Sequence, residues 1–247
     1  MRLFEAIVDA NQRASKGDAS AGVHVSEYAG SLPVVVLTCI DPRLNSLLPG
    51  VLGVPTEQFI WLRNAGNIIT SSLSSTTRSL ALACAVEGGR EIAIIGHTDC
   101  KVCHTSVGEI VDRFRALGVQ RERLPDNLVE YFGLFASERQ NVIKAVDLVR
   151  NSPLIGAKIP VHGLLLDTVT GKLECLVNGY QTLSAPLSAS PAAHVNVNGP
   201  SLTKVAQVSS TEGEEVSSAA PNPTTAPPSP PPLLPRRAIR QRAPWER

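Results

Sequence analysis

Short β-branched runs alternate with longer amphipathic stretches through the first three quarters of the chain. Pro33-Val-Val-Val-Leu-Thr38 reads as a strand buried on both faces. Phe59-Ile-Trp-Leu62 and Glu91-Ile-Ala-Ile-Ile-Gly96 predict a second and a third. Residues 159–167 and 172–177 predict two more, and the Thr170-Gly171 turn between them makes an antiparallel hairpin. The earlier strands are separated by connections long enough for parallel crossovers.

The helices have legible starts. Ser106-Val-Gly-Glu109 is a capping box ahead of Ile110, Val111, Phe114 and Leu117. Ser137-Glu-Arg-Gln140 is a second, ahead of Val142, Ile143, Val146 and Val149. A helix over residues 72–87 is expected to stop at Gly88-Gly89. Residues 2–15 form a further helix, with Leu3, Phe4, Ile7 and Val8 on one side. It has no obvious local partner, so a neighbouring subunit is its expected support. The fold class that results is α/β: a mostly parallel central sheet with flanking helices and an antiparallel C-terminal edge hairpin.

The pattern ends near residue 184. Twelve of the 19 Pro lie from Pro186 onward, with no sustained period of 2 or 3.6 and few aromatics. Such a segment buries too little apolar surface to offset its ordering entropy. The expected organisation is a domain over 1–183 and a Pro/Ser/Ala-rich disordered tail over 184–247. The tail ends Arg-Arg-Ala-Ile-Arg-Gln-Arg-Ala-Pro-Trp-Glu-Arg. That end is either a binding peptide for a protein partner or a solvated terminus.

Composition narrows the classes. Lys+Arg 23 against Asp+Glu 22 gives a net charge of +1, which argues against a global grip on nucleic acid. No apolar run reaches the ~18 residues of a membrane span, and the N-terminus lacks the order of a secretory signal. Five scattered Cys do not make a disulfide scaffold. A cytoplasmic location is expected, with thiols that are buried or serve as ligands.

The chemistry gathers at two strand ends. Cys39 follows the first strand; His97 follows the third, with Cys100 three residues on. In an open α/β sheet, ligands collect at the carboxyl ends of strands. If those strands are neighbours, two thiolates and an imidazole meet as a three-ligand zinc set with one position open. Asp41 and Arg43 lie just past Cys39. An Asp held by Arg stays ionised and can accept from a metal-bound water; alone, the pair would read as a surface salt bridge. Cys100-Lys-Val-Cys103-His104 also fits a haem attachment pattern or a redox pair, and Cys103 or His104 could close the zinc site as a fourth ligand. Cys84 and Cys175 read as small buried apolar residues.

Cys39-Ile-Asp41-Pro-Arg43, Arg63-Asn-Ala-Gly-Asn67 and Gly96-His97-Thr-Asp-Cys100, in that order, resemble the β-class carbonic anhydrases. Glu138-Arg-Gln-Asn-Val142, Val161-His-Gly163 and the Asp167–Leu173 stretch extend the resemblance to roughly residues 2–180. It implies Zn²⁺ on Cys39, His97 and Cys100, with Asp41 orienting the water or closing the site, and Arg43 holding Asp41. Residues 63–67 would line the floor, where Gly66 permits close backbone approach. The implied reaction is reversible hydration of carbon dioxide to bicarbonate by a metal-bound hydroxide. The implied assembly is a homodimer or higher homo-oligomer embracing through the first helix. His24, His104 and His162 are the shuttle options. Two departures stand out: Lys101 where the family often has Gly, and a Leu48–Pro55 segment without the family's Gln. Relatives that hydrolyse carbonyl sulfide or carbon disulfide use the same zinc set and remain the alternative, as does a non-catalytic assembly module.

Overall fold

The structure, a computed structural model, describes residues 1–183. The expected disordered tail over 184–247 lies outside the described residues. Five strands, β1 (Val34–Cys39), β2 (Phe59–Asn64), β3 (Glu91–His97), β4 (Val161–Leu166) and β5 (Leu173–Val177), form one sheet in the order β2-β1-β3-β4-β5. The first four are parallel, and β4–β5 is the antiparallel hairpin. The helices are α1 (Leu3–Ala14), α2 (Leu44–Leu52), α3 (Ser75–Ala85), α4 (Lys101–His104), α5 (Val107–Ala116), α6 (Leu128–Phe132), α7 (Glu138–Arg150) and α8 (Gly179–Thr182).

Alternation along the strands builds two cores. Val34, Val36, Ala93, Ile95, Leu164 and Leu166 face α1 and α2. Val35, Leu37, Ile92 and Ile94 face Leu80 of α3 and Val142, Val146 and Val149 of α7. Burial of each such aliphatic side chain contributes about 1.5–3 kcal/mol relative to exposure. The central strands are buried on both sides, which is why they read as continuous apolar runs.

Three expectations change. First, α1 packs on its own chain: Leu3, Phe4 and Ile7 are buried in the core. Asn11 locks it there, its Oδ1 accepting from Leu173 N–H at 2.7 Å and its Nδ2 donating to Gly171 O at 3.0 Å. Second, Cys175 is exposed, because β5 is an edge strand that α1 covers incompletely; Cys84 is half-buried. Third, α3 begins at Ser75 rather than 72, since Ser74 supplies the cap by accepting from Thr77 N–H. The Ser106–Glu109 box forms in both directions, whereas Ser137 caps Gln140 N–H in one. Residues 44–52 carry no element expectation from the sequence. Leu44, Leu48 and Leu52 nonetheless bury one stripe, and Gly53 at φ +60° ends the helix. Among the described residues, no helix is long and apolar enough to cross a membrane.

Candidate metal centre

The chain leaves β1 for β2 on one side and reaches β3 on the other, so β1 and β3 flank a topological switch point. Cys39 closes β1 and His97 closes β3. Cys100 sits just before α4. The ligand atoms of the three lie within 4.8 Å of one another, and all three residues are buried. Asp41 is not among them, and neither are Cys103 and His104, which meet Glu138 instead. The fourth-ligand reading of Cys103 or His104 is therefore set aside.

The imidazole is oriented by its backbone. His97 Nδ1 lies 2.9 Å from Thr98 O, a contact that requires Nδ1 to carry the proton. Nε2 is then a bare lone pair, buried and without a hydrogen-bond partner among the described residues. A buried orphan acceptor costs about 1–3 kcal/mol. Here it faces two thiols, and a thiophilic cation satisfies it. The donor set of two thiols and one imidazole is a zinc set; the residues fit the ion.

The three groups also shift one another's proton affinities. The Cys100 thiol hydrogen bond pulls Cys39 well below the usual thiol range. Burial opposes this, while His97 and the N–H groups of Asp41 and Gly66 add to it. Cys100, which supplies that proton, is raised by the same contact and by burial. Burial alone would lower the His97 pKa; the Cys39 contact and the Thr98 carbonyl outweigh it and the net shift is upward.

Gly66 brings its backbone to the sulfur. At φ +65° its N–H donates to Cys39 Sγ at 3.3 Å, and Asn141 Nδ2 holds its carbonyl at 2.8 Å. A Cβ here would stand 2.7 Å from Phe135 Cε1. Gly66 makes the expected close backbone approach, and Asn64 stands in register with Cys39.

Asp41 is clamped by Arg43. Oδ2 accepts from the guanidinium at 2.8 Å, and Oδ1 accepts from the Arg43 backbone N–H at 2.9 Å and from Nε at 3.1 Å. These bonds hold the carboxyl down to about 2 against its burial. Arg43 also donates to Asp99 Oδ2 and to Asp99 O, each at 2.7 Å. It therefore bridges the loop after β1 to the loop after β3.

Sequence reasoning assigned no role to Asp99, Glu138 or Asn141, although all three stand inside quoted motifs. Asp99 takes a left-handed φ of +55°, a conformation Asp tolerates better than most residues. Glu138 Oε1 accepts from Cys100 N–H at 3.2 Å. The three histidines separate. His162 is sealed in the core between Glu91 Oε2 (3.2 Å) and Gly179 N–H (3.1 Å), in register with Ala93 near the far end of the sheet, so it is no shuttle. His24 is exposed beside the turn at 25–31. His104 is exposed on α4, near the centre. A mostly apolar cleft of about 290 Å³ opens beside the metal loop, bounded by Ala65, Ile68, Val102, Phe114, Phe132 and Leu134, with Lys101, Thr105 and Arg113 also in its lining.

The carbonic anhydrase family profile matches residues 34–173. The chain belongs to the β-carbonic anhydrase family. It is 33% identical over 160 residues to the Bacillus subtilis protein named "Putative carbonic anhydrase YvdA", a match covering 62% of this chain and 80% of that one. The β-carbonic anhydrase isoform I of Trichomonas vaginalis has a similar structure, with a TM-score of 0.57 and 29% identity over 73% of this chain and 100% of the other. The carbon disulfide hydrolase of Acidithiobacillus thiooxidans is 31% identical, covering 56% of this chain and 74% of its own. By family, this β-carbonic anhydrase chain is a carbonic anhydrase-type lyase.

Proposed function

We propose that residues 1–183 catalyse the reversible hydration of carbon dioxide to bicarbonate with Zn²⁺ held by Cys39, His97 and Cys100. The observation that carries this is the orphaned His97 Nε2 among two thiols, beside an ionised Asp41. The ion would supply the Lewis acidity that makes a water nucleophilic at neutral pH. The rest falls to the protein. Asp41 accepts a hydrogen bond from the reacting water. Being ionised it cannot donate, so the water's free lone pair turns away from it towards the carbon. Arg43 keeps Asp41 charged and aimed. The Gly66 and Asp41 N–H groups stabilise the Cys39 thiolate.

Similarity to a carbon disulfide hydrolase supports a second reading, carbon disulfide hydrolysis on the same residues. Stopped-flow hydration by the zinc-loaded full chain at mildly alkaline pH, with sulfide release from carbon disulfide measured in parallel, separates the two. Fast hydration that Asp41→Ala depresses supports the proposal; sulfide release with no hydration supports the second reading.

A homodimer is part of the proposal. The apolar side of α5 buries none of its residues, and Leu117, Val129 and Tyr131 are exposed nearby. Sedimentation of the full chain tests it. Five free thiols suit a reducing, cytoplasmic setting.

A further inference from the structure

The Cys103-His104 pair stands outside the catalytic cluster but does not stand alone. Cys103 Sγ, a His104 ring nitrogen and a Glu138 carboxylate oxygen lie within 4.8 Å of one another. Cys103 and His104 come from α4 and Glu138 from the first residue of α7. His104 Nε2 is 3.5 Å from Glu138 Oε1. Nitrogen and oxygen donors, each about 2.1 Å from a tetrahedral ion, stand about 3.4 Å apart. The pair therefore already has the separation that one shared ion demands. The thiol closes the third corner from the partly buried side of α4, and His104 leaves the fourth corner open to solvent.

The donor set decides the ligand class. A thiolate and a carboxylate neutralise a divalent charge, and the sulfur and imidazole select a borderline-soft cation over Mg²⁺ or Ca²⁺. We propose that Cys103, His104 and Glu138 form a second, solvent-open site for a zinc-like divalent cation. It shares no residue with the Cys39–His97–Cys100 cluster, yet it communicates with it. Glu138 Oε1, the oxygen facing His104, is also the one that accepts Cys100 N–H. An ion on Glu138 competes with that N–H, so occupancy of the outer site bears on the backbone of an inner ligand.

The test is metal stoichiometry, not turnover. The full chain is stripped with chelator and titrated with Zn²⁺ by equilibrium dialysis, then with Co²⁺ as a spectroscopic probe. Wild type binds two equivalents, the second more weakly, as a solvent-open three-donor site should. Cys103→Ser and His104→Gln each retain one equivalent and lose the weaker thiolate-to-cobalt band. His104 is exposed, so its replacement keeps the test clear of folding. One equivalent in wild type, unaffected by either variant, overturns the proposal. So do two equivalents that survive both. Cys39→Ser separates this site from the inner one: an equivalent lost in Cys103→Ser but kept in Cys39→Ser supports the outer site even if the inner one fails.

Discussion

Replacing Gly66 with Ala tests the link between backbone conformation and the metal centre. Two costs follow from the geometry. Gly66 sits at φ +65°, where an L side chain costs about 1–2 kcal/mol. The new Cβ would also lie 2.7 Å from Phe135 Cε1, forcing the ring or the turn aside at about 1–3 kcal/mol. The sum is about 2–5 kcal/mol. Gly53→Ala is the control, because Gly53 has φ +60° with nothing within 4 Å; it should lose only the first part. Urea denaturation of the metal-free chains reads the stability difference. Chelator competition reads the second consequence: a displaced turn withdraws the N–H from Cys39 Sγ, and zinc affinity should fall about 10–100-fold in Gly66→Ala and not in Gly53→Ala. Equal destabilisation in the two variants, with zinc affinity unchanged, would refute the close-approach argument.

Four shorter predictions follow. Asp41→Ala should cut hydration turnover by about 10²-fold or more while zinc content stays at the wild-type level; loss of zinc instead would make Asp41 a ligand. Arg43→Ala should alter acid stability. The Asp41 pKa is depressed from 3.8 to about 2, so its contribution is complete above pH 3.8 and disappears as pH falls through about 2. Acid-unfolding curves of wild type and variant should therefore differ above that window and converge below it. Tyr180→Phe removes the 2.7 Å hydrogen bond to the buried Glu91 carboxylate, and should cost about 1.5–3 kcal/mol in urea with hydration kinetics intact. Chelator treatment should lower the thermal midpoint of wild type by several degrees and that of Cys39→Ser by much less.

Much of this molecule was legible because its physics is local. The continuous apolar runs of β1 and β3 announced strands buried on both faces, and the position of Cys39 and His97 just after them announced a strand-end site. Their adjacency was a condition the sequence could state but not meet; the β2-β1-β3 order supplies it. What escaped notice depends on long-range contacts. Asp99, Glu138 and Asn141 act through Arg43, Cys100 and Gly66, and no local period marks such partners. The helix at 44–52 was hidden because a buried leucine stripe overrides Pro49. The first helix was assigned to a neighbour because Asn11, which ties it to the final hairpin, is an ordinary polar residue until the hairpin is folded.

Arg43 holds its two carboxylates in unlike surroundings. The Asp41 side chain is 6% exposed, whereas that of Asp99 is 71% exposed. Mobile ions screen exposed charges beyond about 10 Å at 0.1 M salt and weaken surface pairs first. The clamp is therefore mechanically lopsided, a fixed jaw on the β1 side and a partly releasable one on the β3 side. Rising ionic strength should weaken the Arg43 contact with the Asp99 carboxylate first, while the bond to Asp99 O and the grip on Asp41 persist. Arg43 thus keeps one salt-independent tie to each loop, and only its bond to the Asp99 carboxylate answers to ionic strength.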